Sequence, residues 1–188
     1  MSTMLFESAD TAFHTPIRYS GVDTPILPAK LDCGADISVI NAYALSLLLR
    51  EQLSTIKKYV VSDHNEFTVS SLGIESVAYL CRINNFLIGD TLWNTLYVAI
   101  PGNDAIKNIR GKKVYVPKIL LGMDVLKCCS GTLDFNGEIQ DSGSLLLEVK
   151  DQTIQKQYVE TALFSDSPEI FASAVNVDDI EAKRISKE

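Results

Sequence analysis

Histidine is scarce in this sequence. His14 and His64 are the only two, too few and too scattered to build a zinc site. Cysteine is also sparse: Cys33, Cys81, Cys128 and Cys129 make four in all, with no repeating spacing. Cys128 and Cys129 are neighbours, and adjacent cysteines rarely bond each other. This usage fits a reducing compartment rather than a disulfide scaffold. No apolar run approaches the roughly 20 residues of a membrane span. The first ten residues hold acids and no base, unlike a secretory signal. The expected setting is therefore cytoplasmic, with no membrane partner. A phosphate-binding loop is lacking too, because residues 102–112 combine glycine and lysine at the wrong spacing. There is no internal repeat. These absences leave no cofactor and no metal to expect.

What is present is an ordinary globular balance. The chain has 188 residues, 46% apolar and 22% charged, enough for one packed domain with extensions. The net charge of −7 repels phosphate backbones, so nucleic acid is not an expected partner. One stretch runs the other way: Lys107, Arg110, Lys112, Lys113 and Lys118. It reads most simply as a solvated basic loop, and otherwise as a patch for something acidic.

Along the chain, residues 1–13 have no clear period and read as a loose arm. Short β segments follow: residues 17–19, a turn at 20–23, and residues 26–31, where Pro28 points to an edge or a bulge. Asn41 is a good helix N-cap. Leu45, Leu48, Leu49 and Leu53 follow at helical spacing, so a helix is predicted to about Ile56. Residues 59–61, 67–69, 77–83, 86–88 and 91–100 read as strands. Turns are expected at 62–66, 70–75, Asn84-Asn85 and Gly89-Asp90. Residues 101–113 read as a polar loop, 114–116 and 119–121 as apolar segments, and 131–135 with 144–149 as a hairpin. Many short strands with one helix indicate a mainly β barrel or sandwich. Residues 151–188 read as a polar, acidic extension, partly helical and weakly docked or mobile.

Two segments carry chemistry. The first is Ala29-Lys30-Leu31-Asp32-Cys33-Gly34-Ala35-Asp36-Ile37-Ser38-Val39-Ile40. The second is Ile119-Leu120-Leu121-Gly122-Met123-Asp124-Val125-Leu126, leading into Gly131-Thr132-Leu133-Asp134-Phe135. Together, in this order, they resemble the retropepsin family of retroviral, retrotransposon and related cellular aspartic proteases. That family carries Asp-Thr/Ser-Gly-Ala after an apolar strand, then much later aliphatics and a glycine, a short helix and a last strand. The resemblance covers about residues 17–149. It implies a mainly β, closed barrel of the acid-protease kind with one or two short helices, occupying residues 14–150.

Each position in the motif has a physical reason. Gly34 lets the backbone turn and bring an amide near the Asp32 carboxylate. Ala35 leaves room for a substrate chain. By the resemblance, Leu121 and Gly122 support the Asp32 loop, Asp36 binds substrate backbone, and Gly73, within the turn at 70–75, is the candidate tip of a hairpin closing over the substrate. A catalytic pair needs a second carboxylate. Asp141-Ser142-Gly143-Ser144 spells a similar motif, but Glu138, Ile139 and Gln140 precede it instead of an apolar strand, so it reads as a turn. The resemblance thus implies a homodimer with one Asp32 from each chain across a twofold axis. Two carboxylates about 3 Å apart cannot both ionise, as is established for aspartic proteases generally, and share a proton.

The sequence departs from the pattern at three places. Cys33 stands where the family has Thr or Ser, and a thiol is a weaker donor than a hydroxyl. Its simplest reading is a small buried hydrophobe; the sharper one is a pair of facing thiols acting as a redox switch. Met123 stands where retroviral members have an arginine paired with the residue matching Asp36, a place Arg18 could take. The chain also continues past the strand at which minimal retroviral dimers end, so a different dimer interface, with Cys128 and Cys129 near it, is open. The implied function is an aspartic endopeptidase acting on a polypeptide substrate. The alternative is a catalytically silent module of the same fold that dimerises or binds. A third reading is an unrelated β domain binding through residues 107–118.

Overall fold

The computed structural model describes residues 2–9, 12–21, 23–61, 66–71, 74–101, 106–109, 112–135 and 143–164. In chain order these form β1 (Thr3–Ala9), β2 (Ala12–Tyr19), β3 (Leu27–Leu31), β4 (Val39–Ile40), α1 (Ala42–Leu49), a 3₁₀ helix (Leu53–Tyr59), β5 (Glu66–Ser71), β6 (Ile74–Ile88) and β7 (Thr91–Pro101). Then come β8 (Ile106–Ile109), β9 (Lys112–Tyr115), β10 (Ile119–Leu121), α2 (Met123–Leu126), β11 (Cys129–Phe135), β12 (Gly143–Val149) and α3 (Thr153–Phe164).

The fold is mainly β and closes into a barrel. The ring runs β2-β3-β10-β4-β7-β6 and returns to β2. The closing contact is short, Ile17 opposite Ile88, Arg18 opposite Leu87 and Tyr19 opposite Phe86. It depends on β6 being long. Asn84 and Asn85, expected to turn the chain, instead lie within β6, where Asn85 takes a positive φ of 60°. An asparagine tolerates that conformation, and its carbonyl accepts from Ser20 N at 2.9 Å. The two-residue turn at Gly89-Asp90 does form. A Cβ on Gly89 would lie 3.0 Å from Met4 Cα, and φ there is +56°, so the site favours glycine. In β3, Pro28 faces Pro16; β10 reaches only Lys30 and Leu31, so β3 is locally an edge at its proline.

A three-stranded extension, β11-β12-β1, continues from β2. The arm expected at residues 1–13 is therefore corrected: Thr3–Ala9 pairs with both β12 and β2. Met4 and Phe6 point inward and are fully buried, while Leu5 between them is exposed, the period-two alternation of a half-buried strand. The main core gathers Phe6, Ile17, Leu48, Phe86, Trp93, Val98 and Leu121, from the barrel strands, β1 and α1, into one buried cluster. Burying each large side chain contributes on the order of 1.5–3 kcal/mol before the entropy of ordering it is subtracted.

Asn41 caps α1 as the sequence indicates: its side chain accepts from Ala44 N at 2.9 Å. The helix stops at Leu49, earlier than the leucine spacing implies. Arg50 adopts the left-handed conformation and donates its N–H to Leu47 and Ser46 carbonyls, a helix C-cap. Residues 101–113, expected as a loop, contain β8 and part of β9, which pair as a separate hairpin. The tail contains α3, which covers the outside of the barrel. Val159 is fully buried there in a second cluster with Ile37, Val39, Tyr97 and Ala99. Among the described residues no helix is long and apolar enough to cross a membrane, which leaves β-strand spans untouched.

Candidate active site

Three strands of the barrel converge on the Asp32 loop. β10 lies between β3, to which it is parallel, and β4, to which it is antiparallel. The segment joining β3 to β4, residues 32–38, must therefore cross the C-terminal end of β10. Asp32 N donates to Leu121 O at 2.9 Å, which ties the start of the loop to β10. Ala35 N donates to Asp32 O at 3.1 Å, closing a tight turn. Within it, Gly34 N donates to Asp32 Oδ1 at 3.0 Å. A Cβ on Gly34 would lie 3.2 Å from the same oxygen, so glycine keeps the amide and the carboxylate close. Asp32 is half-buried, and Cys33 and Gly34 are exposed at the tip.

The second segment clamps the loop from behind. Met123 N donates to Ala35 O at 2.8 Å and Asp124 N donates to Asp36 O at 3.1 Å. Gly122 immediately precedes Met123, and a Cβ there would fall 2.5 Å from Ala35 O. Asp32, Cys33, Gly34, Ala35, Asp36, Leu121 and Gly122 thus come together in one place. Gly73 lies outside the described residues; the strands on either side of it, β5 and β6, form a hairpin in which Ser71 faces Ile74. Asp141 and Ser142 also lie outside them. Gly143 opens β12 opposite Phe135 and donates its N–H to Ser8 Oγ at 3.0 Å. That is the far end of β12 from Val149 and Lys150, and it is Lys150 that reaches Cys128 beside α2.

A buried polar network underlies the clamp, and three of its side chains, Asp124, Ser38 and Gln155, were not among the expected site residues. Asp124 is fully buried. Its Oδ1 accepts from Ser38 N at 3.0 Å and from Ser38 Oγ at 2.7 Å. Its Oδ2 accepts from Gln155 Nε2 at 2.8 Å. Ser38 Oγ in turn accepts from Gly122 N at 3.0 Å. Burial pushes the Asp124 carboxyl above the usual carboxylate range, and the bonds from Ser38 and Gln155 oppose that rise. The available signal was an aspartate set in the apolar run Leu-Gly-Met-Asp-Val-Leu, since a charge in such a run needs buried partners.

The tail also reaches the site. Tyr158 OH, on α3, donates to Asp36 Oδ1 at 3.3 Å. Cys33, whose simplest reading was a buried hydrophobe, is instead an exposed free thiol in the single chain. Cys128 and Cys129 pack as core: the Cys128 thiol donates to Asp124 O at 3.3 Å and is pushed up to about 12 by burial. Among the described residues no group of three or more His, Cys, Asp or Glu side chains could hold a metal ion. No family model, curated protein or solved structure matches the chain.

Proposed function

We propose that this chain is an aspartic endopeptidase with a retropepsin-like barrel, active as a homodimer in which each protomer contributes one Asp32. The observation that carries this reading is the clamped loop. An aspartate sits in a tight turn with a backbone amide 3.0 Å from its carboxylate, and an aliphatic-glycine segment holds that turn from behind. Such a loop presents a carboxylate rigidly, which positioned catalysis requires. One loop offers one carboxylate, so the pair needs a second chain. The exposed tip at Cys33 and Gly34 is the surface through which two loops would meet. The strands β1, β11 and β12 pair within one chain, so the proposed dimer would not need interleaved termini.

In the proposed reaction the two Asp32 carboxyls share one proton. The ionised member takes a proton from water as its oxygen attacks the peptide carbonyl, and the protonated member gives its proton to the carbonyl oxygen. Collapse of the tetrahedral intermediate breaks the C–N bond: the departing nitrogen takes the proton that the first carboxyl removed from water, and the second carboxylate recovers its proton from a diol hydroxyl as the carbonyl reforms. Asp36, exposed beside the loop, would receive substrate backbone amides. The reading needs no metal, cofactor or nucleic acid, and the cytoplasm is its expected setting. Dilution with a dead partner tests it. Mixed with a ninefold excess of Asp32→Asn and allowed to exchange, wild-type chains should retain about a tenth of their activity, because about a tenth meet a wild-type partner. Undiminished activity per wild-type chain would rule out a shared site.

The second reading is a silent module of the same fold that dimerises or binds. Cys33 favours it, because a thiol replaces the hydroxyl expected to stiffen the paired loops. A folded wild type that cleaves no peptide, and whose dimerisation survives Asp32→Asn, would establish that reading instead.

A further inference from the structure

α3 belongs to the stretch that the sequence set apart as an extension, yet one of its side chains enters the network behind the catalytic loop. Gln155 is 1% exposed. Its Oε1 accepts from Tyr97 N at 3.2 Å and its Nε2 donates to Tyr97 O at 2.7 Å. This pairing with both backbone groups of one β7 residue fixes which way the amide faces. With its orientation set, the remaining Nε2 hydrogen points to Asp124 Oδ2, 2.8 Å away.

From Asp124 the chain of bonds continues without a gap. Ser38 Oγ donates to Asp124 Oδ1 and accepts from Gly122 N. Gly122 is the residue packed against Ala35 O. Met123 and Asp124 amides hold the carbonyls of Ala35 and Asp36. The bonds that link Gln155, Asp124, Ser38 and Gly122 are buried, where hydrogen bonds are strong and an unmade one is costly. The apolar contact runs alongside: Val159, one turn further along α3, packs with Ile37 and Val39 of the same segment.

We infer that Gln155 is a positioning residue for the Asp32 loop, acting through Asp124 and Ser38, so that α3 is part of the active unit. Without Gln155 the Asp124 carboxylate loses the side-chain donor on Oδ2 and is held only by Ser38 and the Val125 amide. The acceptor of the Ser38 hydroxyl is then set less firmly, and with it the hydroxyl that accepts from Gly122 N. The term catalytic rests on the protease reading above; the response of the loop to Gln155 does not.

The test uses Gln155→Met, which keeps the length and apolar bulk of the side chain and removes its hydrogen bonds. Val159→Ala serves as the control, since it weakens α3 docking and leaves the polar path intact. Two readouts are taken on the full chain: amide resonances of Gly34 and Ala35 by NMR, and kcat and KM on a cleaved peptide. Gln155→Met should move both resonances and lower kcat about tenfold or more with KM within about twofold, as a small misplacement of a catalytic group does. Val159→Ala should leave both nearly unchanged, even if it lowers thermal stability as much. Unmoved resonances in Gln155→Met, or equal movement in Val159→Ala, would overturn the inference. If wild type cleaves nothing, the protease reading fails by itself, and the resonances alone still decide whether Gln155 positions the loop.

Discussion

Gly122 and Ala35 approach so closely that a single methyl group on Gly122 would sit 2.5 Å from the Ala35 carbonyl oxygen. That is well inside van der Waals contact, and the obstruction is backbone, which cannot swing aside as a side-chain tip can. The two residues come from segments 87 positions apart, yet they set the spacing between the loop and the strand behind it. Gly122→Ala should therefore push the loop forward and weaken the Met123 to Ala35 bond. Overpacking of this kind costs about 1–3 kcal/mol, a fall in melting temperature on the order of 5 °C for a chain of this size. Peptide cleavage should fall much further than stability, because the displaced group is the one next to Asp32. Thermal melts and kcat/KM on the same preparation check both, and a fully active Gly122→Ala protein would contradict the clamp.

Asp124 gives the protein a pH signature. Its carboxyl is raised above its ordinary value by burial, so the folded chain holds a proton there more tightly than the unfolded chain. The stabilising contribution is fully present below the unfolded carboxylate value of about 3.9 and is lost as pH rises through the higher folded value. Asp124→Asn carries no such titration. Wild type should gain stability relative to Asp124→Asn as pH falls from neutral towards about 4. Denaturant unfolding of both proteins across that range measures the difference, and parallel curves would show that Asp124 titrates normally.

Cys33 is the one residue at the tip of the loop that departs from the expected type. It is exposed in the single chain, where the proposed dimer would bring two copies together. Cys33→Thr replaces a weak donor with a hydroxyl. If one hydrogen bond per protomer, two per dimer, is gained at about 0.5–1.5 kcal/mol each, the dimer should dissociate at concentrations lower by about fivefold to 150-fold. Sedimentation of wild type and Cys33→Thr at matched concentrations reads this, and activity at limiting concentration should rise with it. An unchanged dissociation constant would place Cys33 away from the interface.

The elements legible in the sequence are those specified by neighbours in the chain. Asn41 caps a helix three residues on, Gly89-Asp90 turns a hairpin, and residues 131–135 with 144–149 fold onto each other. The density of short strands indicated a mainly β barrel or sandwich and did not decide between them; the structure closes into a barrel. The elements missed are those whose partners lie far away. β1 looked patternless because Met4 and Phe6 acquire an inward face only once β12, almost the whole chain away, pairs alongside. Asn84-Asn85 carries turn chemistry, but the ladder to β7 continues across it and overrides the local preference. The loop residues from Asp32 to Asp36 and the support from Leu121 and Gly122 could be named because the two segments, in that order, resemble a known pattern. Ser38, Gln155 and Tyr158 could not, since a serine beside a strand and a glutamine or tyrosine in a helix are unremarkable until their buried or facing partners are known.

The decisive measurement is cleavage of a diverse peptide mixture from about pH 4 to 7, the range in which a carboxyl pair sharing a proton can turn over. Wild type and Asp32→Asn are compared across protein concentrations. A dimeric aspartic protease gives activity that rises faster than linearly with dilute wild-type protein and is abolished in Asp32→Asn. A well-folded wild type without cleavage at any pH, or one whose cleavage survives in Asp32→Asn, would contradict it.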